Sequence, residues 1–198
     1  MTMAKMIRLN PERIARYEAG GWRAYYEHNW FKMLRLIVAL GQEEFHIPFP
    51  MSLLAAYYTT RASVAWVPVD HDLQKVLSFL TRFYRIARRY SGLNFDVERV
   101  AALELQYFDV HRRCSGLEDK SEFIQTMVDL HSTIFGITPE QARESAELRV
   151  LAGNTVDLIT SKASTDVAAD WVKLEEYLRR CYSSIQRELE QASVLTDK

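Results

Sequence analysis

Three observations predict an all-α fold for this chain, an up-and-down-type helical bundle of about six or seven helices. Apolar residues recur every three or four positions along every long segment. No segment shows the sustained period-two alternation of a half-buried strand. Turn residues are sparse, 7 Gly and 5 Pro in 198 residues, where a sandwich or barrel needs turn signals every 8 to 12 residues or so. With 48% hydrophobic and 26% charged residues the chain is globular rather than disordered. Its length fits one all-helical domain over residues 1–198.

The elements follow from caps, stripes and breakers. Asn10-Pro11 is a cap residue followed by proline at the first helical position. It opens a helix carrying Trp22, Tyr26, Met33, Ile37 and Leu40 to about residue 44, with a kink or break expected at Gly20-Gly21. His46-Ile47-Pro48-Phe49-Pro50 ends it, since each proline disfavours helix in the residue before it. A nearly uncharged second helix runs from about Met51 to Trp66, and a helix apolar on all sides is expected at the centre of the fold. Pro48, Pro50 and Pro68, with Ser52, Thr59, Thr60 and Ser63, interrupt the surrounding apolar stretch, so it is not read as a membrane span.

Asp70 is placed to cap a third helix with Leu73, Val76 or Leu77, Leu80, Tyr84 and Ala87 inside and Arg82, Arg85, Arg88 and Arg89 outside; Ser91-Gly92 closes it. Asn94 or Asp96 opens a fourth, to about Cys114, and a fifth runs from about Ser121 to Phe135 and stops at Gly136. Thr138-Pro139-Glu140-Gln141 is the strongest local signal, a capping box with proline at the first helical position, and opens a sixth helix to about Lys162. The last helix starts near Ser164 to Asp166 and carries Val167, Trp171, Leu174, Leu178, Cys181, Ile185 and Leu189 in steps of four and three, the seam of a helix packed nearly parallel to its neighbours.

The net charge of -1 offers no general attraction to nucleic acid or to an anionic membrane, and neither is expected as a partner. The charge is unevenly spread. Residues 1–92 hold 13 Lys/Arg against 7 Asp/Glu, and residues 93–198 hold 12 against 19. Cys114 and Cys181 show no CxxC spacing, which argues against a disulfide framework. Met1–Met6 contains no uninterrupted apolar stretch, so the expected location is cytoplasmic.

Arg61 is the costliest residue in the sequence, because it lies in the most apolar helix and an unpaired charge removed from water costs several kcal/mol. It is expected to pair with a carboxylate or to reach solvent along a snorkelling side chain, or else, as a functional residue, to bind a small anionic ligand in a pocket between helices. Glu104, Tyr107 and His111 share one side of the fourth helix with Val97, Ala101 and Phe108, while Val100, Leu103, Tyr107, Val110 and Cys114 form an equally apolar stripe. Which stripe faces inward is open at this point. His131 lies in line with Ile124, Val128 and Phe135, and Glu147 and Arg149 stand near Ala142, Ala146 and Val156. The candidate ligand-binding set is therefore Arg61, Glu104, Tyr107, His111, His131 and Glu147, gathered between the second, fourth, fifth and sixth helices.

Glu43 and His46 form the one Glu-x-x-His pair, and a carboxylate-bridged two-metal bundle needs two. No metal and no cofactor is expected. Nucleophile elbows, glycine-rich phosphate loops, HExxH and GxGxxG are absent, so nothing marks an enzyme. The sequence points to a protein that acts by association, as a homo-oligomer, on the strength of the charge split and the heptad-like last helix. The alternative is a small-molecule or metal-binding enzyme with a polar site buried between helices.

Overall fold

The computed structural model describes residues 7–196. The segment Met1–Met6, which prompted the expectation about location, lies outside the described residues. Helix accounts for 79% of the described residues, and there is no strand among them. The elements are α1 Pro11–Tyr26, α2 Trp30–Glu44, α3 Met51–Trp66, α4 Leu73–Ser91, α5 Val97–Cys114, α6 Ser121–Phe135, α7 Pro139–Thr160 and α8 Val167–Thr196. Connections of three to six residues turn each helix back along its predecessor. Every helix packs against its neighbours in sequence, and α8 also packs against α1, so the order closes into a ring. An even number of helices lets α8 return antiparallel beside α1.

The expected caps form at Asn10, Asp96 and Thr138, each accepting a hydrogen bond from the backbone N–H three residues on, and Thr138 with Gln141 completes the capping box; for α4 the cap is Asp72 rather than the expected Asp70, because the helix starts two residues later, at Leu73. Gly92 and Gly136 close α4 and α6 with positive φ of 80° and 66°, a conformation that costs glycine nothing. The seam of α8 is buried at Leu174, Leu178, Cys181 and Ile185.

The described residues form eight helices, more than expected, because the first long helix is two. The break lies at Glu27–Asn29, where His28 adopts φ of 56° and Asn29 caps α2 by accepting from the Lys32 N–H. Gly20 and Gly21 lie inside α1 and break nothing. A side chain at Gly20 would meet Leu36 of α2 at 3.2 Å, so this glycine permits close approach of the two helices, while Gly21 faces open space.

The second correction concerns α3. Its buried positions are Ser52, Ala55, Ala56 and Ala62, while Leu53, Leu54, Tyr57 and Val64 are exposed at 38 to 57%. The small residues let α3 lie close against the ring, and the large apolar ones face out. No described helix is long and apolar enough to cross a membrane.

The two glycines give a paired test. Gly21→Ala is expected to stabilise the fold by about 0.5–1 kcal/mol, because a helix interior favours Ala and nothing obstructs it. Gly20→Val is expected to destabilise it by about 1–3 kcal/mol through overpacking against Leu36. Urea unfolding of both variants reads the two signs.

Candidate functional site

The ring is filled by an apolar core with a connected group of ionisable side chains inside it. On α1 the buried stripe Ile14, Ala15, Glu18, Ala19 places a carboxylate among small residues. On α7 Arg149 stands between buried Leu148 and Val150, with Ser145, Ala152 and Gly153 one turn away leaving room for its side chain. The Arg149 guanidinium and the Glu18 carboxylate form a direct ion pair, with side-chain exposures of 13% and 7%. Tyr182 of α8 donates from its hydroxyl to the second Glu18 oxygen at 2.9 Å. The guanidinium also lies over the rings of Trp22 and Tyr107, at 4.7 and 5.8 Å, where the negative ring faces favour a cation.

Two further carboxyls adjoin this pair. Glu104 of α5 accepts a hydrogen bond from the Tyr84 hydroxyl of α4 at 3.1 Å. Glu44, the last residue of α2, is close enough to Glu18, Glu104 and Arg149 to feel their charges. Three carboxyls thus share one guanidinium. Burial, reinforced by the Glu18 charge, pushes the Glu44 carboxyl up to about 8. Burial raises Glu104 to about 6, with Arg149 and the Tyr84 hydroxyl working against the shift. The phenols of Tyr84 and Tyr182 and the Cys181 thiol are pushed upward, also by burial first. The direction favours the protonated form of Glu44.

His131 of α6 is buried, and its Nδ1 is 2.8 Å from Ser145 Oγ. The Ser145 hydroxyl donates to the Ala142 carbonyl, so its oxygen accepts and His131 carries its proton on Nδ1. Burial, with Arg149 nearby, lowers the imidazole to about 3, and it stays neutral. His111 packs against both Tyr107 and Phe123, at 5.8 and 5.1 Å, and those two rings also touch each other at 5.8 Å. Its Nε2 lies 3.2 Å from Asp157 Oδ1, off line for a hydrogen bond, and Asp157 accepts from the Ser115 hydroxyl at 2.8 Å.

Of the six residues singled out in the sequence, Glu104 and Tyr107 lie in the network, and His131 and His111 lie beside it on separate partners. Both α5 stripes contribute: Val97, Val100, Ala101, Tyr107, Val110 and Cys114 are all buried. Of the alternatives for Arg61 the solvent-reaching one holds, and no pocket between helices encloses it. It is exposed, 5.4 Å from the Phe79 ring, on an open groove of about 350 Å³. The face of α3 that packs inward runs through Ala55 and Ala62, which turns Arg61 outward with Tyr57 and Val64. Glu147 is also on the surface, paired with Arg143 at 2.8 Å, because α7 turns Ala146 and Leu148 inward on either side of it. Glu18, Glu44 and Tyr182 are the members that sequence reasoning missed, and Arg149, noted there beside Glu147, stood outside the candidate set; the available signal was charge set within stripes of small residues, at Ala15/Ala19 and at Ser145/Ala152.

The outer arginine stripe of α4 borders a second open groove of about 390 Å³, where Arg85 pairs with Glu98 at 3.3 Å and Arg88 donates to Asn94 at 2.7 Å. Among the described residues no group of three or more His, Cys, Asp or Glu is arranged to hold a metal ion. No protein family, curated protein or solved structure matches the chain.

Arg149→Met is expected to cost about 3–5 kcal/mol, because it strands the Glu18 carboxylate in the interior. Adding Glu18→Gln should recover more than half of that loss in urea unfolding at pH 7. Simple addition of the two single-variant costs would show that the residues do not act as a pair.

Proposed function

We propose that this protein acts by association, and that the surface it uses is the outer face of α2 and α3, pairing with a second copy of the chain. The observation behind this is the inversion of α3, which buries alanines and exposes Leu53, Leu54, Tyr57 and Val64. Adjacent α2 behaves alike. Met33 is its one buried residue, and Trp30, Phe31 and Leu34 are exposed at 54, 83 and 36%. Phe49, in the connection between the two helices, is 70% exposed.

Whole aromatic side chains present about 150–250 Å² each, so these exposed residues together leave roughly 800 Å² of apolar side-chain surface. That is about what each partner buries in a standard interface, and more than the largest apolar patch of a typical monomer, about 300–600 Å². On this face α3 carries one charge in sixteen residues, while α2 adds Lys32 and the exposed Arg35, cations that self-pairing must hold apart.

The charge split between the halves gives less support. Arg149–Glu18 and Arg179–Glu12 place the basic member in the acidic half, and Arg85–Glu98 follows the split. A buried site for a small anionic ligand is supported less well than association, because Arg149, its natural anchor, already holds Glu18.

Light scattering of the purified chain at micromolar concentration should give the mass of a dimer. Phe31→Glu with Leu54→Glu should give a monomer of unchanged helicity, since both residues face outward. A wild-type monomer, or a dimer unaffected by both changes, would overturn the assignment.

A further inference from the structure

We propose that the groove between the end of α4 and the start of α5 binds a soluble phosphate monoester, with Arg85, Arg88 and Arg89 as its anion receptor. Arg82, Arg85 and Arg89 recur at helical spacing with Arg88 beside them, and all four are exposed on the outer side of α4. Elsewhere on the chain exposed arginines are taken by carboxylates: Arg13 by Glu43 at 3.1 Å, Arg23 by Glu27 at 2.7 Å, Arg113 by Glu122 at 2.7 Å and Arg143 by Glu147 at 2.8 Å. The α4 stripe differs. Among the described residues no carboxylate pairs with Arg82, Arg88 or Arg89, and Arg85 has Glu98 at 3.3 Å, in a pair whose side chains are 66 and 72% exposed. Such a pair holds weakly.

Neutral groups orient these arginines instead. Arg88 donates to the Asn94 side-chain oxygen at 2.7 Å, and the guanidinium groups of Arg89 and Arg82 lie 5.7 Å from the rings of Tyr90 and Tyr58. A neutral partner fixes a guanidinium without cancelling its charge. Gly92, with φ of 80°, turns the chain out of α4, and the return sets the first turn of α5 beside the last turn of α4. The resulting groove of about 390 Å³ is lined by Arg85, Arg88, Arg89, Leu93, Val97 and Glu98. The positive end of α5 and the negative end of α4, each about half a charge, meet there and offset one another, so the side chains decide the field.

Three arginines against Glu98 leave two positive charges over the groove. A phosphate monoester carries about −1.5 to −2 near neutral pH and offers three acceptor oxygens to guanidinium forks, so it matches the site in charge and in geometry. Leu93 is half-buried and Val97 buried. They give an organic group an apolar floor but no exposed side chain that would enter a bilayer, which favours a soluble ester over a lipid headgroup. The groove belongs to α4 and α5, apart from the α2 and α3 face, so the site does not depend on pairing.

Isothermal titration calorimetry of the full chain with phenyl phosphate, at pH 7.5 and fixed ionic strength, should show saturable binding at one site. Arg88→Gln with Arg89→Gln should weaken it about tenfold or more, the scale of a lost charge-assisted hydrogen bond, whereas Arg143→Gln, which removes a cation from α7, should leave it unchanged. Glu98→Gln frees Arg85 and should tighten binding, a gain that a merely structural cluster would not give. The four altered side chains are exposed, and circular dichroism checks that helicity is kept. Phosphatidic acid vesicles, which carry the same group on a bilayer, should capture no more chain than phosphatidylcholine vesicles. Absence of saturable binding, undiminished binding in the double arginine variant, or an equal loss in Arg143→Gln would overturn the site; capture by phosphatidic acid vesicles that the double variant loses would overturn the soluble source.

Discussion

One guanidinium inside a ring of eight helices sets the terms for the rest of the structure. A lone cation in that position is untenable, and Arg149 persists because Glu18, held in turn by Tyr182, meets it directly and because Trp22 and Tyr107 present ring faces to it. The pair ties α1 to α7, and its hydrogen bond reaches α8, so it reinforces the closure where the chain's first helix meets its last two. Charge that is fixed so strictly then governs its neighbours. Glu104 and Glu44 find the guanidinium already engaged, and both hold their protons more tightly than a free glutamate does. The network is balanced by protons as well as by ion pairs, which makes pH a variable of this fold.

The helical class was legible because each device that reveals it is local. The capping box at Thr138, the Asp96 and Asn10 caps, and the glycines after α4 and α6 each act within a few residues, and their chemistry is the same whatever surrounds them. The division between α1 and α2 was misplaced because a Gly pair and a His-Asn pair are both plausible breaks in one dimension. The decision belongs to packing: Gly20 is needed against Leu36, and His28 with Asn29 is free to turn.

The site was legible in part for a related reason. Spacing shows that Glu104 and Tyr107 share a side of α5, but it cannot show which side the ring uses. Arg61 entered the candidate set because a helix apolar on all sides normally lies at the centre of a fold. In α3 that rule fails through size rather than polarity: alanines give the closest packing, so they face inward, and the larger apolar residues are left outside with the arginine. The true interior cation, Arg149, lies in a helix with many charges on its outer face, where one more basic residue gives no warning. An outward apolar face and an inward charged network are therefore two sides of one arrangement, and both bear on how the protein is used.

The protonation of the interior carboxyls is the most direct test. Carbon-13 NMR of the glutamate side chains, titrated from pH 3 to 10 and assigned by single Glu→Gln changes, reads each carboxyl separately. The account predicts one signal belonging to Glu44 that titrates near 8 and one belonging to Glu104 near 6. Titration of both near 4.3, the ordinary glutamate value, would contradict burial of these carboxyls beside a cation already engaged by Glu18.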